Sequence, residues 1–173
     1  RFRPAPSGPL HFGHIISNLI SSLYVKKYGG KFYIIIDDTN PEEVLVDSYQ
    51  AIKQDCDWIF GNVCEYINSS SRMDIYYKYA ENLIKKKAAY VCTCKQDEFK
   101  KHAEKMSDCP CRNLTIKDNI EAWEKMVEKE GFRQGEAVLR FQSNLNDSNP
   151  AMRDFPIARI NLTKHPLQRD KSR

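Results

Sequence analysis

Two histidines at the close of a turn-rich run, Arg1-Phe2-Arg3-Pro4-Ala5-Pro6-Ser7-Gly8-Pro9-Leu10-His11-Phe12-Gly13-His14, are the residues most able to do chemistry in this chain. Prolines and glycines keep residues 4–13 out of helix and let the backbone pass close to a ligand. A helix is expected to begin just after them. Its free N–H groups and positive end would face phosphates, and His11 and His14 would donate hydrogen bonds to charge developing on an α-phosphate. That is chemistry suited to activating an amino acid with ATP. A second polar cluster, Asp37-Asp38-Thr39-Asn40-Pro41, closes an apolar run soon afterwards. The two aspartates offer acceptors for a cationic group or, alternatively, cap the next helix.

Cysteines supply a different chemistry. Four of the six form two C-x-C clips, Cys92-Thr93-Cys94 and Cys109-Pro110-Cys111, separated by fourteen residues. Two facing clips fit one tetrahedral zinc, and a closed four-sulfur shell leaves no position for water, so such a metal would be structural. Free buried thiols or a disulfide are the alternatives. Cys56 and Cys64 lack any such pattern and read as small core residues.

These residues need elements to position them. Ile15, Ile16, Leu19, Ile20, Leu23 and Val25 keep helical spacing up to Gly29-Gly30 and predict a buried helix of about four turns. Phe32-Tyr33-Ile34-Ile35-Ile36 is continuous and β-rich, as an inner strand of a parallel sheet should be. Its C-terminal end would deliver Asp37 to the sheet edge where open α/β sheets bind ligands. Helices are expected over 43–59, from Ser71 through Ile84 with Ile75, Tyr76, Tyr79, Ala80, Leu83 and Ile84 inward, over 96–106, and over 115–130 with Ile120, Trp123, Met126 and Val127 inward. Strands are expected over 88–93 and 136–142.

At 173 residues the chain can bury one substantial core, or one core with a satellite subdomain. Its net charge of +4 is compatible with nucleic acid without requiring it. No segment approaches the roughly 18 uninterrupted apolar residues of a membrane span, and no signal-peptide pattern opens the chain, so a cytoplasmic location away from membranes is expected. The chain also reads as an excerpt of something longer.

The opening run, Ile36-Asp37-Asp38-Thr39-Asn40-Pro41-Glu42, the strand Ala89-Tyr90-Val91-Cys92-Thr93-Cys94, Cys109-Pro110-Cys111-Arg112 and Arg153-Asp154-Phe155-Pro156-Ile157-Ala158-Arg159-Ile160 together resemble class I aminoacyl-tRNA synthetases. Within them the similarity is to glutamyl-tRNA synthetases of the archaeal and eukaryotic type. The resemblance implies an α/β fold: residues 1–87 as the first half of a Rossmann-type catalytic domain, 88–150 as an inserted subdomain that binds the tRNA acceptor stem and holds the zinc, and 151–173 as the start of the return.

It further implies ATP with Mg2+, L-glutamate and tRNA as ligands, and the remainder of the parent chain as a partner. His11 and His14 would contact the ATP phosphates, Gly13 would give the adenine room, and Ser7 and Gly8 would shape the floor of the site. Arg1 would pair with the side-chain carboxylate of glutamate, Ser7 would line its pocket, and Asp37 would meet its ammonium. The chain departs from the family pattern at Ile35, where arginine is usual, and at Ala5. It lacks a second lysine motif of the K-x-S-K type, for which Arg169-Asp170-Lys171-Ser172-Arg173 is no substitute. A glutaminyl-tRNA synthetase, a paralogue that glutamylates queuosine in tRNA and a non-catalytic RNA-binding fragment are the competing readings.

Overall fold

Helix α1 (Phe12–Tyr28) starts within the His-Phe-Gly-His run and stops on Gly29, whose φ of 69° is the left-handed conformation that ends a helix cheaply only at glycine. The computed structural model describes residues 1–168. Their contacts divide into two compact units. One comprises Arg1–Met73 with the segment from Thr163 onward, and the other comprises Asp74–Leu162. The run from Arg169 to Arg173 lies outside the described residues.

In the first unit, β1 (Phe32–Ile36) follows α1, and α2 (Val46–Phe60) then leads to β2 (Val63–Asn68). β1 and β2 pair in parallel, with Ile34 opposite Tyr66 and Ile36 opposite Asn68. Phe2 joins the other edge of β1, also in parallel: its N–H donates to the Tyr33 carbonyl at 2.9 Å and its carbonyl accepts from the Ile35 N–H at 2.9 Å. The parallel arrangement is the one that the continuous apolar run of β1 predicts. Phe2, Phe32, Ile34, Ile36, Ile52, Cys56 and Phe60 make the core.

Several expectations change. α1 is not a buried helix: Ser22 is its one buried residue, and Ile16, Ile20, Leu23 and Tyr24 lie exposed. Only a narrow face, with Leu19 and Val25, packs on the core. β2 went unpredicted because its residues are half-buried or exposed and give no clean alternation. Cys56 is buried as expected, whereas Cys64 on β2 is exposed.

The second unit runs α3 (Met73–Lys85), β3 (Ala89–Cys92), α4 (Gln96–Glu104), α5 (Ile116–Val127), β4 (Val138–Phe141) and β5 (Pro156–Arg159). Its sheet is antiparallel in the order β3-β4-β5, with Val91 opposite Leu139. Thr115 starts α5 through a capping box: its Oγ1 accepts from the Asp118 N–H at 3.1 Å, and Asp118 Oδ2 accepts from the Thr115 N–H at 3.2 Å.

Helix α3, placed by sequence with the first domain, buries Ala80 and Ile84 against Val91, Trp123, Met126 and Leu139 of this unit. Its inward face is rotated from the expected one. Tyr77 packs edge-on to Trp123 with centroids 5.9 Å apart, while Ile75, Tyr76 and Tyr79 are exposed. β5 was hidden in the sequence because it opens on Pro156, which cannot donate to a ladder and fits only an edge position.

Candidate active site and metal centre

The turn of residues 4–13 is stitched to the chain leaving β1. The Asp37 N–H donates to the Pro4 carbonyl at 2.8 Å, and the Leu45 N–H donates to the Pro6 carbonyl at 2.8 Å. Between these anchors the backbone bends through Pro6-Ser7-Gly8, where Ser7 is exposed and a Cβ on Gly8 would meet nothing within 4 Å. The turn ends at His11, the residue that opens α1.

His11 and His14 stack with ring centroids 3.7 Å apart and planes inclined by 27°. The His11 N–H donates to His14 Nδ1 at 3.4 Å, so the neutral His14 ring carries its proton on Nε2 as a free donor. Partial burial, and then the neighbouring His11, hold the His14 pKa below its ordinary value of 6.5, so this ring is neutral at pH 7. Gly13 sits tight against the pair: a Cβ there would lie 3.1 Å from His11 Cε1 and 3.2 Å from His11 Nδ1.

The two aspartates separate by strand alternation. Asp38 continues the buried face of Ile34 and Ile36 and is fully enclosed. It accepts from the Ser70 N–H at 2.7 Å, the Ser70 hydroxyl at 2.7 Å and the Tyr49 hydroxyl at 2.8 Å. His165 Nε2 lies 2.9 Å from its carbonyl and 3.6 Å from its carboxylate. This buried hub, with His165 in it, was not legible from the sequence. Neither aspartate caps a helix, since Asn40 precedes the 3-10 turn of Pro41–Glu43 and Leu45 precedes α2.

Asp37 lies on the opposite, open face. Because Phe2 pairs beside Ile34 with both buried, Arg1 and Arg3 project to the same open face as Ile35 and Asp37. Arg3 Nη2 reaches Asp37 Oδ2 at 3.1 Å, and the Thr39 hydroxyl donates to Asp37 Oδ1 at 3.2 Å. The structure thus puts Arg1 and Asp37 on the open face of this small sheet and His11, Gly13 and His14 at the start of α1, where the His14 ring lies 6.0 Å from that of Phe2. It also adds Arg3, which sequence reasoning missed.

In the second unit the four expected cysteines converge, with all Sγ atoms within 4.8 Å of one another. Cys92 and Cys109 stand 4.0 Å apart, and Cys94 and Cys111 stand 3.7 Å apart. A tetrahedral ion with metal–sulfur bonds of about 2.3 Å requires sulfurs about 3.8 Å apart, so this donor set can hold one metal ion. The hydrogen bond from Cys92, opposed by burial, draws the Cys109 thiol down to about 5, a thiolate ready to bind a cation. Burial pushes Cys94 up to about 11.

Around the cluster, three segments meet at one carboxylate. Asp154, fully buried, accepts from the Tyr90 hydroxyl, Arg112 Nε and the Ser143 N–H, each at 2.8 Å. Tyr90 precedes Cys92 on β3, and Arg112 follows Cys111, so Asp154 braces both clips.

The sequence profile of a family described as class I tRNA synthetases (E and Q), catalytic domain, matches residues 1–173. The chain belongs to this family. Among curated class I relatives, the glutamate–tRNA ligase of Methanocaldococcus jannaschii is 42% identical over 99% of this chain. That of Nanoarchaeum equitans is 44% identical over 96% of it. Each match takes in 30% of the relative, so the chain spans about a third of their length.

A crystal structure of a glutamate tRNA ligase from Elizabethkingia meningosepticum, in complex with its amino acid, superposes with a TM-score of 0.64 over 92% of this chain and 38% of that one, at 22% identity. A second, the glutamate-tRNA synthetase of Elizabethkingia anophelis, gives 0.59 over 82% and 32%, at 25% identity. The α/β fold is therefore that of part of a class I synthetase catalytic domain. No described helix is long and apolar enough to cross a membrane.

Proposed function

We propose that this chain is the part of a glutamate–tRNA ligase that binds ATP and glutamate and forms glutamyl-adenylate, working in the cytoplasm with the rest of a longer parent protein. The observation that carries the reading is the stacked His11–His14 pair at the start of α1, with the His14 ring 6.0 Å from that of Phe2, whose neighbour Arg1 shares the open sheet face with Asp37. The α-carboxylate of glutamate attacks the α-phosphorus of ATP, and the bond to pyrophosphate breaks. A hydroxyl of the terminal adenosine of tRNA then takes the acyl group and releases AMP.

The chain's contribution is positioning and charge stabilisation. His11 and His14 donate to the α-phosphate oxygens as charge builds, Ser7 and Gly8 leave the floor open, and Gly13 keeps the space beside His11 clear. Arg1 holds the side-chain carboxylate with a bidentate guanidinium, and Asp37 takes the ammonium. Mg2+ bound with ATP offsets the charge of the triphosphate. The unit Asp74–Leu162 takes the acceptor stem. Charging of tRNA with labelled glutamate by the full-length protein tests the reading: glutamyl-tRNA is expected, and its absence with active tRNA would contradict it.

Two further outcomes follow from the geometry. Gly13→Ala pushes a methyl group into the His11 ring and is expected to lower adenylate formation by about tenfold with the fold intact, since misplacement on this scale is costly at a reacting centre. Pyrophosphate exchange alongside circular dichroism measures both. The cysteine cluster is read as a structural zinc site that fixes the clips around β3. The purified protein is expected to carry this zinc, and Cys109→Ser with Cys111→Ser to lose one equivalent by atomic absorption. Equal zinc in both would contradict the assignment.

A further inference from the structure

Arg140 is a buried cation that the contacts around it do not neutralise. It stands opposite Tyr90 in the β3–β4 register, and strand alternation puts it on the face of Tyr90 and Cys92, away from Val91 and Leu139. Its guanidinium carbon lies 3.3 Å from the centre of the Phe99 ring, and Phe99, on α4, packs against the cysteine cluster. The guanidinium is thus held on a ring that borders the four cysteines.

Only 8% of Arg140 is exposed. Its Nη1 donates to the main-chain carbonyl of Asp154 at 3.2 Å, while Nε is buried with no partner in hydrogen-bonding geometry. Such a charge is costly without a counter-ion. The neighbouring groups do not supply one. The Asp154 carboxylate is taken by Arg112, Tyr90 and Ser143. Arg153, the other buried guanidinium of this unit, is spent on the carbonyls of Asp147 and Ala103. Asp97, Glu98 and Asp108, the acidic residues beside the clips in sequence, are exposed to water, as is Lys95. The cysteines carry the matching charge, since four thiolates around a divalent cation leave two negative charges in excess. The bond with Cys109, and then burial, push the Cys92 thiol up, opposed by the Cys94 backbone and by the Arg140 side chain.

We propose that Arg140 is the counter-ion of the metal centre: held on Phe99, it offsets part of the charge of the four thiolates, and its orphaned Nε finds its acceptor in Cys92 once a divalent cation is bound. The inference rests on the proposed reading of the cysteines as a structural metal site and deepens it. Arg140 is no ligand itself. It is a positioning residue that acts through Cys92 and raises the affinity of the site for a divalent cation. The same charge is a burden on the fold when the metal is absent.

The test uses the full-length protein, stripped with a chelator and reloaded with Zn2+ or Co2+. Arg140→Met removes the charge and keeps the length, and Arg140→Lys keeps a point charge. Competition with a zinc-chelating dye is expected to show affinity lowered about 10–100-fold in Arg140→Met, the scale of losing an outer partner of a metal ligand, and partly recovered in Arg140→Lys. The thiolate-to-Co2+ charge-transfer band is expected to move to longer wavelength in Arg140→Met, because a nearby positive charge lowers the energy of the sulfur electrons. Without metal, amide protection of β3 and β4 in Arg140→Met is expected to equal or exceed that of the unsubstituted protein, since an unpaired buried charge has gone.

Zinc affinity within about threefold of the unsubstituted value in Arg140→Met would overturn the role of Arg140 while leaving the metal reading in place. So would an unshifted cobalt band with equal losses in both variants, the result of a packing defect alone. An unsubstituted protein that takes up neither Zn2+ nor Co2+ would overturn both.

Discussion

His14→Ala is expected to lower amino-acid-dependent pyrophosphate exchange in the full-length protein by about two orders of magnitude or more, the scale of losing one preorganised donor to a developing negative charge. The ring is poised for that task in three ways. Its Nδ1 accepts the His11 N–H, which leaves Nε2–H as the donor. Partial burial and His11 keep it neutral, so the donor is an imidazole and not an imidazolium at pH 7. Stacking on His11 at 3.7 Å limits its rotation. The ring supplies half of the capping box that opens α1, but the rest of the helix is held by its own backbone and by the tie from Asn18 Nδ2 to the His14 carbonyl at 2.7 Å. Circular dichroism is therefore expected to stay unchanged while exchange collapses. Exchange within about threefold of the unsubstituted rate would remove His14 from the transition state.

Asp154→Ala is expected to cost about 3–5 kcal/mol in the second unit, the usual range for breaking a buried ion pair. The substitution leaves Arg112 Nε, the Tyr90 hydroxyl and the Ser143 N–H without their acceptor in a nearly dry site. Asp154 also has a φ of 43°, a left-handed conformation that asparagine tolerates better than alanine. Asp154→Asn keeps one acceptor oxygen and that backbone preference, so its cost is expected to be smaller. Amide exchange of β3 and β4 in the full-length protein reads the difference, with protection expected to fall about a hundredfold or more in the alanine variant. Protection unchanged in both variants would show that the clips are braced by other contacts. Tyr90 and Arg112 flank the cysteines, so the alanine variant is also expected to hold zinc more weakly.

The elements that position the first site were largely legible because their punctuation is local. Gly29 stops α1, and the unbroken run from Phe32 to Ile36 declares an inner strand of a parallel sheet, which β1 is, although such a run suggests cover on both faces and only one of them is fully buried. The second unit yielded its cysteine cluster to spacing alone. What sequence concealed were facts that depend on which face a residue takes. Asp37 and Asp38 are neighbours, yet strand alternation sends Asp38 to the side of Ile34 and Ile36 as a buried hub and leaves Asp37 open to a ligand. Counting in twos from Ile34 would have separated them. Arg3, lodged before a proline in a turn-like run, gave no sign of sharing a face with Asp37 until Phe2 was seen to pair with β1. The apolar content of α1 suggested burial, but its outer face, with Ile16, Ile20 and Tyr24, is exposed among the described residues. The division of the chain after Met73 was hidden because α3 looks like any amphipathic helix until Ala80 and Ile84 are found against Trp123.

The measurement that bears most directly on the central claim is pyrophosphate exchange by the full-length protein, with glutamate and glutamine offered separately, with and without tRNA. The account predicts exchange with glutamate that depends on tRNA and little with glutamine. Exchange driven by glutamine would move the assignment to the amide-charging relative, and exchange with neither would contradict an adenylate-forming role for the site at His11 and His14.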